Sequence, residues 1–518
     1  MTTGKFIFKA TLLIAFFILM SKVLGQVRES VIASLLGTTY LADAYQIAMK
    51  APNMLFAIIS GALATVIVPV FTDYVSRGEK SEAWKLFNTV MVLVFFFFLF
   101  ASVIGIAAAP ILVKLVAPGF SGLTRDLTIE LSRIILPWMV FAALASLFTQ
   151  LLNANNIFGI PAFSTSVNNV FIIVFALTLG KIYGVYGLAL GTTLAMAAMA
   201  LVQFPVLCKT GFRINLRLDL RHPGLRKIWV LALPSLFSLS VIQANVFVTF
   251  VLASWLVVGS VSSLGYAYRL YLLPVDLLVT ALTTAVFPTI SRLAAEVEME
   301  SFAATLLSSL KVVFVGIIPA SMLFITLSHP IVNFVYGWGV FDEKAAAMTS
   351  AALIFYSVGT VGYASAYLLV RGFYSLQDTR TPLKLSIVQV LINLGLSLLL
   401  IGPLQHAGLA LASSLSNLAY MVLLMWYLGK KVPGLYQGGL LKFIPAVITA
   451  ASLMAVVCYV VSGELAGQVH GKISLIIQIG LSGMAGLGVF VAALFAMRLE
   501  EAHVLWRAFK KALAGRRA

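Results

Sequence analysis

Charged side chains are scarce in this sequence. They make up 10% of its 518 residues, against about 25% in soluble domains, while 61% are hydrophobic and the mean hydropathy is +1.03. A water-soluble fold has no interior large enough to hide that composition. Cysteine is nearly absent too. The two present, Cys208 and Cys458, stand far apart in or beside apolar segments, which excludes a disulfide framework or a thiolate metal site and leaves packing as their expected role. Five histidines form no His-Glu-x-x-His or comparable cluster, and no paired carboxylates share a depth. The apparatus of catalysis is missing, so the chain is not expected to be an enzyme. Gly467-Gln-Val-His-Gly-Lys472 resembles a Walker A loop only superficially, since its glycine spacing is short by one and no hydroxyl follows the lysine. ATP is therefore not the fuel and no cofactor is expected. Coupling is expected to draw on an ion gradient or on the membrane potential, which supplies about 2.3 kcal/mol per charge per 100 mV.

What the sequence does hold is a succession of apolar runs, each long enough to cross a hydrocarbon core of about 30 Å. Residues 6–20 form the first. It continues through Lys22 to Gly25 with no small-x-small cleavage site, which reads as a retained helix rather than a removed signal. Splitting the chain at its charged, Gly/Pro and Asn-rich breaks gives an all-α polytopic membrane protein of about fourteen spans. Basic residues in short loops remain in the cytoplasm. On the alternation that fourteen spans impose, 24 of the 35 Lys and Arg fall on one side and six on the other, which places both termini in the cytoplasm of an inner-membrane protein. The formal net charge of +17 is thereby explained by topology and by attraction to anionic headgroups, with no nucleic-acid motif around it. Residues 213–227 alternate Arg with Leu or Ile and are expected to lie along the membrane interface.

The two halves carry the same punctuation at nearly constant separation. Pro52 pairs with Pro274 (222 apart), Thr65–Pro69 with Thr284–Pro288 (219), Pro161 with Pro382 (221), and Gly187-Leu-Ala-Leu-Gly-Thr-Thr-Leu194 with Gly408-Leu-Ala-Leu-Ala-Ser-Ser-Leu415 (221). Six spans per copy is an even number, so the copies are parallel repeats about an axis along the membrane normal. The expected organisation is an N-terminal lobe (1–210, six spans), a cytoplasmic interfacial linker (211–227), a C-terminal lobe (228–430, six spans), and two further spans with a basic tail (431–518). Duplicated lobes that rock about a central cavity are a common design for alternating access.

Five basic residues lie in spans: Lys22, Lys50, Arg133, Arg269 and Lys311. Arg133 and Lys311 are near span ends, where a long side chain reaches water. Lys22, Lys50 and Arg269 are more central, where a charge costs about 2.5–3.5 kcal/mol. Arg28 and Glu29 follow Lys22, Asp43 is seven residues before Lys50 on the same helix face, and Asp276 is seven after Arg269. Lys50 and Arg269 each precede a proline that the repeat makes equivalent. Cations so placed suit a phosphate or diphosphate, Arg by forking onto its oxygens and Lys as a point charge. Salt bridges to Glu29, Asp43 and Asp276 are the structural alternative.

Ser21-Lys-Val-Leu-Gly-Gln-Val-Arg-Glu29, the stretch from Thr39 to Lys50-Ala-Pro-Asn53, Ala117-Pro-Gly-Phe120 and Gly372-Phe-Tyr-Ser-Leu-Gln-Asp-Thr-Arg-Thr-Pro382 resemble the MurJ/MviN family of lipid II flippases, within the multidrug/oligosaccharidyl-lipid/polysaccharide exporter superfamily. The resemblance runs through nearly the whole chain. It implies fourteen helices in two lobes and translocation of the undecaprenyl-diphosphate-linked peptidoglycan precursor to the outer leaflet, with the bilayer and envelope-synthesis proteins as further partners. The family's cavity cations map onto Lys22, Arg28, Lys50 and Arg269, its acidic positions onto Glu29 and Asp43, and Asn53 and Asp276 stand as supporting polar residues. The chain departs from the family where an arginine is usual, at Phe56, and where some members carry Glu, at Leu272. No acid occupies the seventh or eleventh span, where some members bind sodium. Asn393 is the candidate there, and no other metal site is expected. Export of another polyprenyl-diphosphate glycan, and a non-transporting scaffold for envelope synthesis, are the alternatives.

Overall fold

The computed structural model describes residues 3–215, 218–436, 439–466 and 471–497, with only the backbone of residues 3–15 and 441. Every regular element among them is helical. With no water in hydrocarbon to receive a backbone N–H or C=O, a helix satisfies each of these groups within its own segment. The described residues fall into two compact units, one reaching to Ser262 and taking in Trp338–Asp342, the other holding Ser263–Gly337 and the chain from Glu343 onward.

The first unit contains α1 (Thr3–Leu36), α2 (Tyr40–Ser76), α3 (Lys80–Ala107), α4 (Ala109–Val116), α5 (Gly122–Ile135), α6 (Trp138–Ala154), α7 (Gly159–Leu177), α8 (Leu179–Lys209) and α9 (Pro223–Ala253). Its core is built on α2, α3, α5 and α6, where Ile67, Phe87, Phe98, Leu131, Met139 and Leu151 are fully or almost fully buried. The helix α9, which opens the second group of spans in the sequence, packs along α2. Pro110 and Pro223 sit in the first turns of α4 and α9, where the missing N–H costs nothing.

The second unit contains α10 (Ser260–Pro274, its first turn counted with the first unit), a π-helical turn (Val275–Val279), α11 (Thr280–Ala295), α12 (Met299–Thr326), α13 (Ser328–Tyr336), α14 (Glu343–Val358), α15 (Thr360–Ser375), α16 (Arg380–Lys431), α17 (Leu440–Leu465) and α18 (Lys472–Ala496). Its core gathers Phe302, Leu306, Ile317, Leu368, Phe373 and Met454. Cys458 is buried against α18, its thiol directed at the carbonyl of Ser482 (3.2 Å). Lys472 donates to the carbonyl of Asn333 (2.7 Å) and to that of Gly337, closing the C-terminal end of α13.

Ten helices among the described residues are long and apolar enough to cross a membrane, and two bent pairs raise the figure to twelve. The chain is a multi-pass membrane protein. Fourteen spans are consistent with this once α1, of 34 residues, is counted and α16 is counted twice: α16 has 52 residues, about 78 Å if straight, yet its ends meet. Gln405 (φ 52°, ψ −133°) breaks it. Asp378, just before its start, receives a hydrogen bond from Lys431 at its end, and the Tyr420 hydroxyl donates to the Pro382 carbonyl (3.2 Å). It is therefore two antiparallel segments.

The internal repeat is present in the backbone. Gly37 and Gly259 (222 apart), Gly78 and Val297 (219), Asn156 and Gln377 (221), and Gly184 and Gln405 (221) all have positive φ. The bent pairs α5–α6 and α14–α15 turn by 40° and 46°. The paired Gly-Leu-Ala-Leu motifs acquire a reason here. A Cβ on Gly187 would lie 2.0 Å from the carbonyl oxygen of Leu179, and one on Gly408 would lie 2.3 Å from that of Leu400. Each glycine lets the chain close the same tight reversal between two spans. Val297 and Gln405 hold non-glycine side chains in the left-handed region, at a cost of about 1–2 kcal/mol each.

Asp378 ties the two ends of α16 to one another. One carboxylate oxygen accepts from the backbone N–H of Arg380 (3.1 Å) and Thr381 (3.0 Å), and the other from Lys431. Burial alone would raise this carboxyl, but the bonds from Lys431 and Thr381 outweigh it and hold the pKa down to about 2. Because the folded value is depressed, the stabilisation is complete above the ordinary carboxylate range, near pH 4, and is lost as pH falls toward 2. Thermal unfolding followed from pH 5 to pH 2 is expected to show a fall in this window that Asp378→Asn lacks, the variant being less stable than wild type at neutral pH.

Candidate functional site

The charges that sequence reasoning picks out in α1 are held by a third residue from another helix. Arg28 directs Nε (3.0 Å) and Nη2 (2.6 Å) at one oxygen of Glu29, and Nη1 at the side-chain oxygen of Asn169 on α7 (2.9 Å). The amide of Asn169 in turn donates to the carbonyl of Ser21 (3.0 Å), about two turns back along α1. Gly25 lies between these contacts, where a Cβ would stand in ordinary contact with Asn169 Nδ2 (3.6 Å). Glu29 is buried, and the Arg28 side chain retains 19% exposure. A guanidinium has five N–H donors in a fixed fork. Three are engaged, so one N–H on each terminal nitrogen is left for an external acceptor. Lys22, two turns N-terminal of Glu29 on the same helix, is exposed.

On α2, Asp43 is buried at 2% exposure. Its two oxygens accept the backbone N–H groups of Gly259 (2.6 Å) and Ser262 (2.7 Å) at the start of α10. The first N–H groups of a helix have no intrahelical partner and carry partial positive charge, so a carboxylate placed there satisfies them and complements the helix dipole. Asp43 thus caps a helix more than 200 residues away in sequence. Seven residues on, Lys50 lies with Nζ 3.6 Å from the centre of the Phe250 ring on α9, a cation–π contact contributing about 0.5–2 kcal/mol. Asn53, one turn further, is exposed. Phe56 packs edge-to-face on Trp138 of α6 (5.4 Å between centroids), so the position that departs from the family pattern is used for packing. The Ala117-Pro-Gly-Phe120 motif meets the loop after α9: the Gly119 N–H donates to Ser254 Oγ (3.0 Å), and a Cβ on Gly119 would lie 2.4 Å from the Ser254 carbonyl.

In the second unit, Arg269 is exposed on α10 and Asp276 is half-buried on the π-helical turn. That turn follows Pro274, whose missing N–H and ring clash disrupt the ordinary ladder, and such turns recur at functional positions. Around Arg269 in sequence, Tyr268 packs edge-on and Tyr271 tilted against Tyr356 (5.7 and 5.5 Å), and Tyr271 also against Tyr363 (6.0 Å). This aromatic block fixes the helix that carries Arg269. Leu272, the other departure from the family, is half-buried. Asn393 is fully buried in α16, facing Ser397 (3.5 Å), while Gln389 bonds Asn417 (2.7 Å). Among the described residues no three His, Cys, Asp or Glu side chains gather as a metal site. Of the two cations read as lying near span ends, Arg133 is exposed and Lys311 stands 5.3 Å from the Phe443 ring.

Sequence reasoning missed Asn169, Phe250 and the tyrosine block. The pair Asn168-Asn169 within the apolar run of α7 was the available signal. Replacing Asp43 by Ala leaves the first turn of α10 uncapped, an expected loss of about 1–2 kcal/mol, and Asp43→Asn, which keeps an acceptor but no charge, is expected to lose less. Thermal unfolding of the purified protein checks the order wild type, Asn, Ala. Equal midpoints for all three would refute the capping role.

A family model described as lipid II flippase MurJ matches residues 32–479. The lipid II flippase MurJ of Burkholderia cenocepacia is 30% identical over 460 residues, covering 87% of this chain and 89% of its own. The probable lipid II flippase MurJ of Rickettsia prowazekii is 27% identical over 508 residues, covering 95% and 98%. A solved structure of lipid II flippase MurJ in an inward closed conformation aligns with a TM-score of 0.79 at 25% identity over 94% of this chain and all of that one. The match through most of the chain, on a fold with a duplicated backbone, establishes that this chain belongs to the MurJ lipid II flippase family.

Proposed function

We propose that this chain is a flippase that carries lipid II, the undecaprenyl-diphosphate-linked peptidoglycan precursor, from the inner to the outer leaflet of the cytoplasmic membrane by alternating access. Membership of the family supports the reading, and one observation in the structure carries its chemistry. Arg28 is oriented by Glu29 and Asn169 with two N–H groups to spare, and a diphosphate is the acceptor that a forked donor of this kind suits. Lys22, Lys50 and Arg269 are the other residues assigned to substrate. Both termini face the cytoplasm in this account. The driving force is the membrane potential or an ion gradient, with Asn393 the residue to examine for sodium. Phe56 and Leu272 favour a second reading, transport of a different polyprenyl-diphosphate glycan, because each replaces a charged position of the family with an apolar side chain.

The test is complementation of a strain depleted of its lipid II flippase, at matched membrane levels of wild type, Arg28→Ala and Arg269→Ala. Rescue by wild type and loss of rescue by both variants is expected. A well-expressed wild type that fails to rescue would overturn the assignment of lipid II and favour the second reading.

A further inference from the structure

Between α8 and α9 the described residues, 211–215 and 218–222, form no helix, yet they are not loose. The ring of Phe212 is buried among Trp84, Phe87 and Phe204, with centroids at 5.7, 5.5 and 6.5 Å. Asn88 on α3 donates to the carbonyl of Arg213 (3.1 Å) and accepts from the N–H of Asn215 (3.0 Å), and Thr89 accepts from the N–H of Asp219 (3.3 Å). His222 ends the segment as a buried cap on α9, its Nδ1 accepting from Gly224 (3.0 Å). The backbone is thus tied to α3 at one edge and to α9 at its end.

Ile214, Leu218 and Leu220 nevertheless keep 56%, 49% and 64% of their surface exposed. All three are aliphatic and stand close in sequence to Arg213 and Arg221. Nothing in the first unit covers them. Trp229 and Val230, in the first two turns of α9, are exposed as well.

The charge beside this apolar row is uncompensated. Asp73 is already taken by Arg77 and Lys227 (2.9 Å each), and Glu82 by Lys85 (2.6 Å) with His222 at 3.5 Å. Asp219 turns one oxygen back to the N–H of Arg221 (3.1 Å). Among the described residues no carboxylate stands within 4 Å of Arg213, Arg221, Arg226 or Lys209, all of them exposed. A row of aliphatic side chains flanked by unpaired arginines matches the boundary between acyl chains and acidic headgroups.

We propose that Ile214, Leu218 and Leu220, with Arg213, Arg221 and Arg226, form a docking surface for anionic phospholipid on the cytoplasmic leaflet. The aliphatic row enters the headgroup layer and the arginines take the phosphates. Because the same segment is bonded to α3 and caps α9, lipid bound here restrains the start of α9.

The experiment uses the full chain with Cys208→Ser and Leu218→Cys, spin-labelled at position 218; the native Cys458 is buried. In nanodiscs containing phosphatidylglycerol, the label is expected to collide with oxygen more than with an aqueous nickel chelate. In phosphatidylcholine, or with Arg213, Arg221 and Arg226 all changed to Gln, it is expected to shift toward water. Each arginine removed should lower the preference for anionic over zwitterionic lipid by about fivefold. Accessibility unchanged between the two lipids would overturn the proposal. So would a label shielded from both reagents in either bilayer, which would mean that protein covers the surface. The comparison of lipids on intact arginines stands even if the triple variant folds poorly.

Discussion

A half-buried cation has to be held by other polar groups, and in the first unit Glu29 and Asn169 meet that requirement for Arg28. Glu29, the next residue on α1, engages Nε and Nη2 of the guanidinium and leaves Nη1 to be held from elsewhere. The amide of Asn169 supplies the second anchor, and because Asn169 is itself bonded to Ser21, α1 and α7 are fixed together at the depth of the charge. The buried carboxylate is stabilised by charge-assisted bonds contributing about 1.5–3 kcal/mol each. What remains of the guanidinium is a small, directed donor set rather than a diffuse positive region.

The rest of the fold follows from repetition. Two copies of one backbone place their reversals, positive-φ residues and bent helix pairs at offsets of 219–222 residues. The copies are not chemically equal. Pro52 is accommodated inside a continuous α2, whereas Pro274 is followed by a π-helical turn that carries Asp276. The first copy spends its acidic residue, Asp43, on capping α10. The second packs the tyrosines that flank Arg269 in sequence against one another and against Tyr356.

What could be read in the sequence, and what could not, divides on this line. Spans and repeat were legible because long apolar runs and the glycines at tight reversals are imposed on residue identity itself: Gly187 and Gly408 have no room for a Cβ. Arg28 and Glu29 stood out as charges in an apolar run. Their third partner did not, since an amide 141 positions away leaves no local pattern. The partners of Asp43 were out of reach for a stronger reason. They are backbone N–H groups, which every residue but proline has. Phe250 beneath Lys50 is likewise one phenylalanine among 36.

The central claim is that an arginine fork, fixed by Glu29 and Asn169, binds the diphosphate that is moved. Its most direct test is leaflet transfer of labelled lipid II in proteoliposomes by wild type and by Arg28→Lys, a change that keeps the charge and removes the fork. Transfer by wild type and its loss in a folded, correctly inserted Arg28→Lys protein is the predicted result. Equal transfer by the two would contradict the account, since a point charge would then serve as well as the fork.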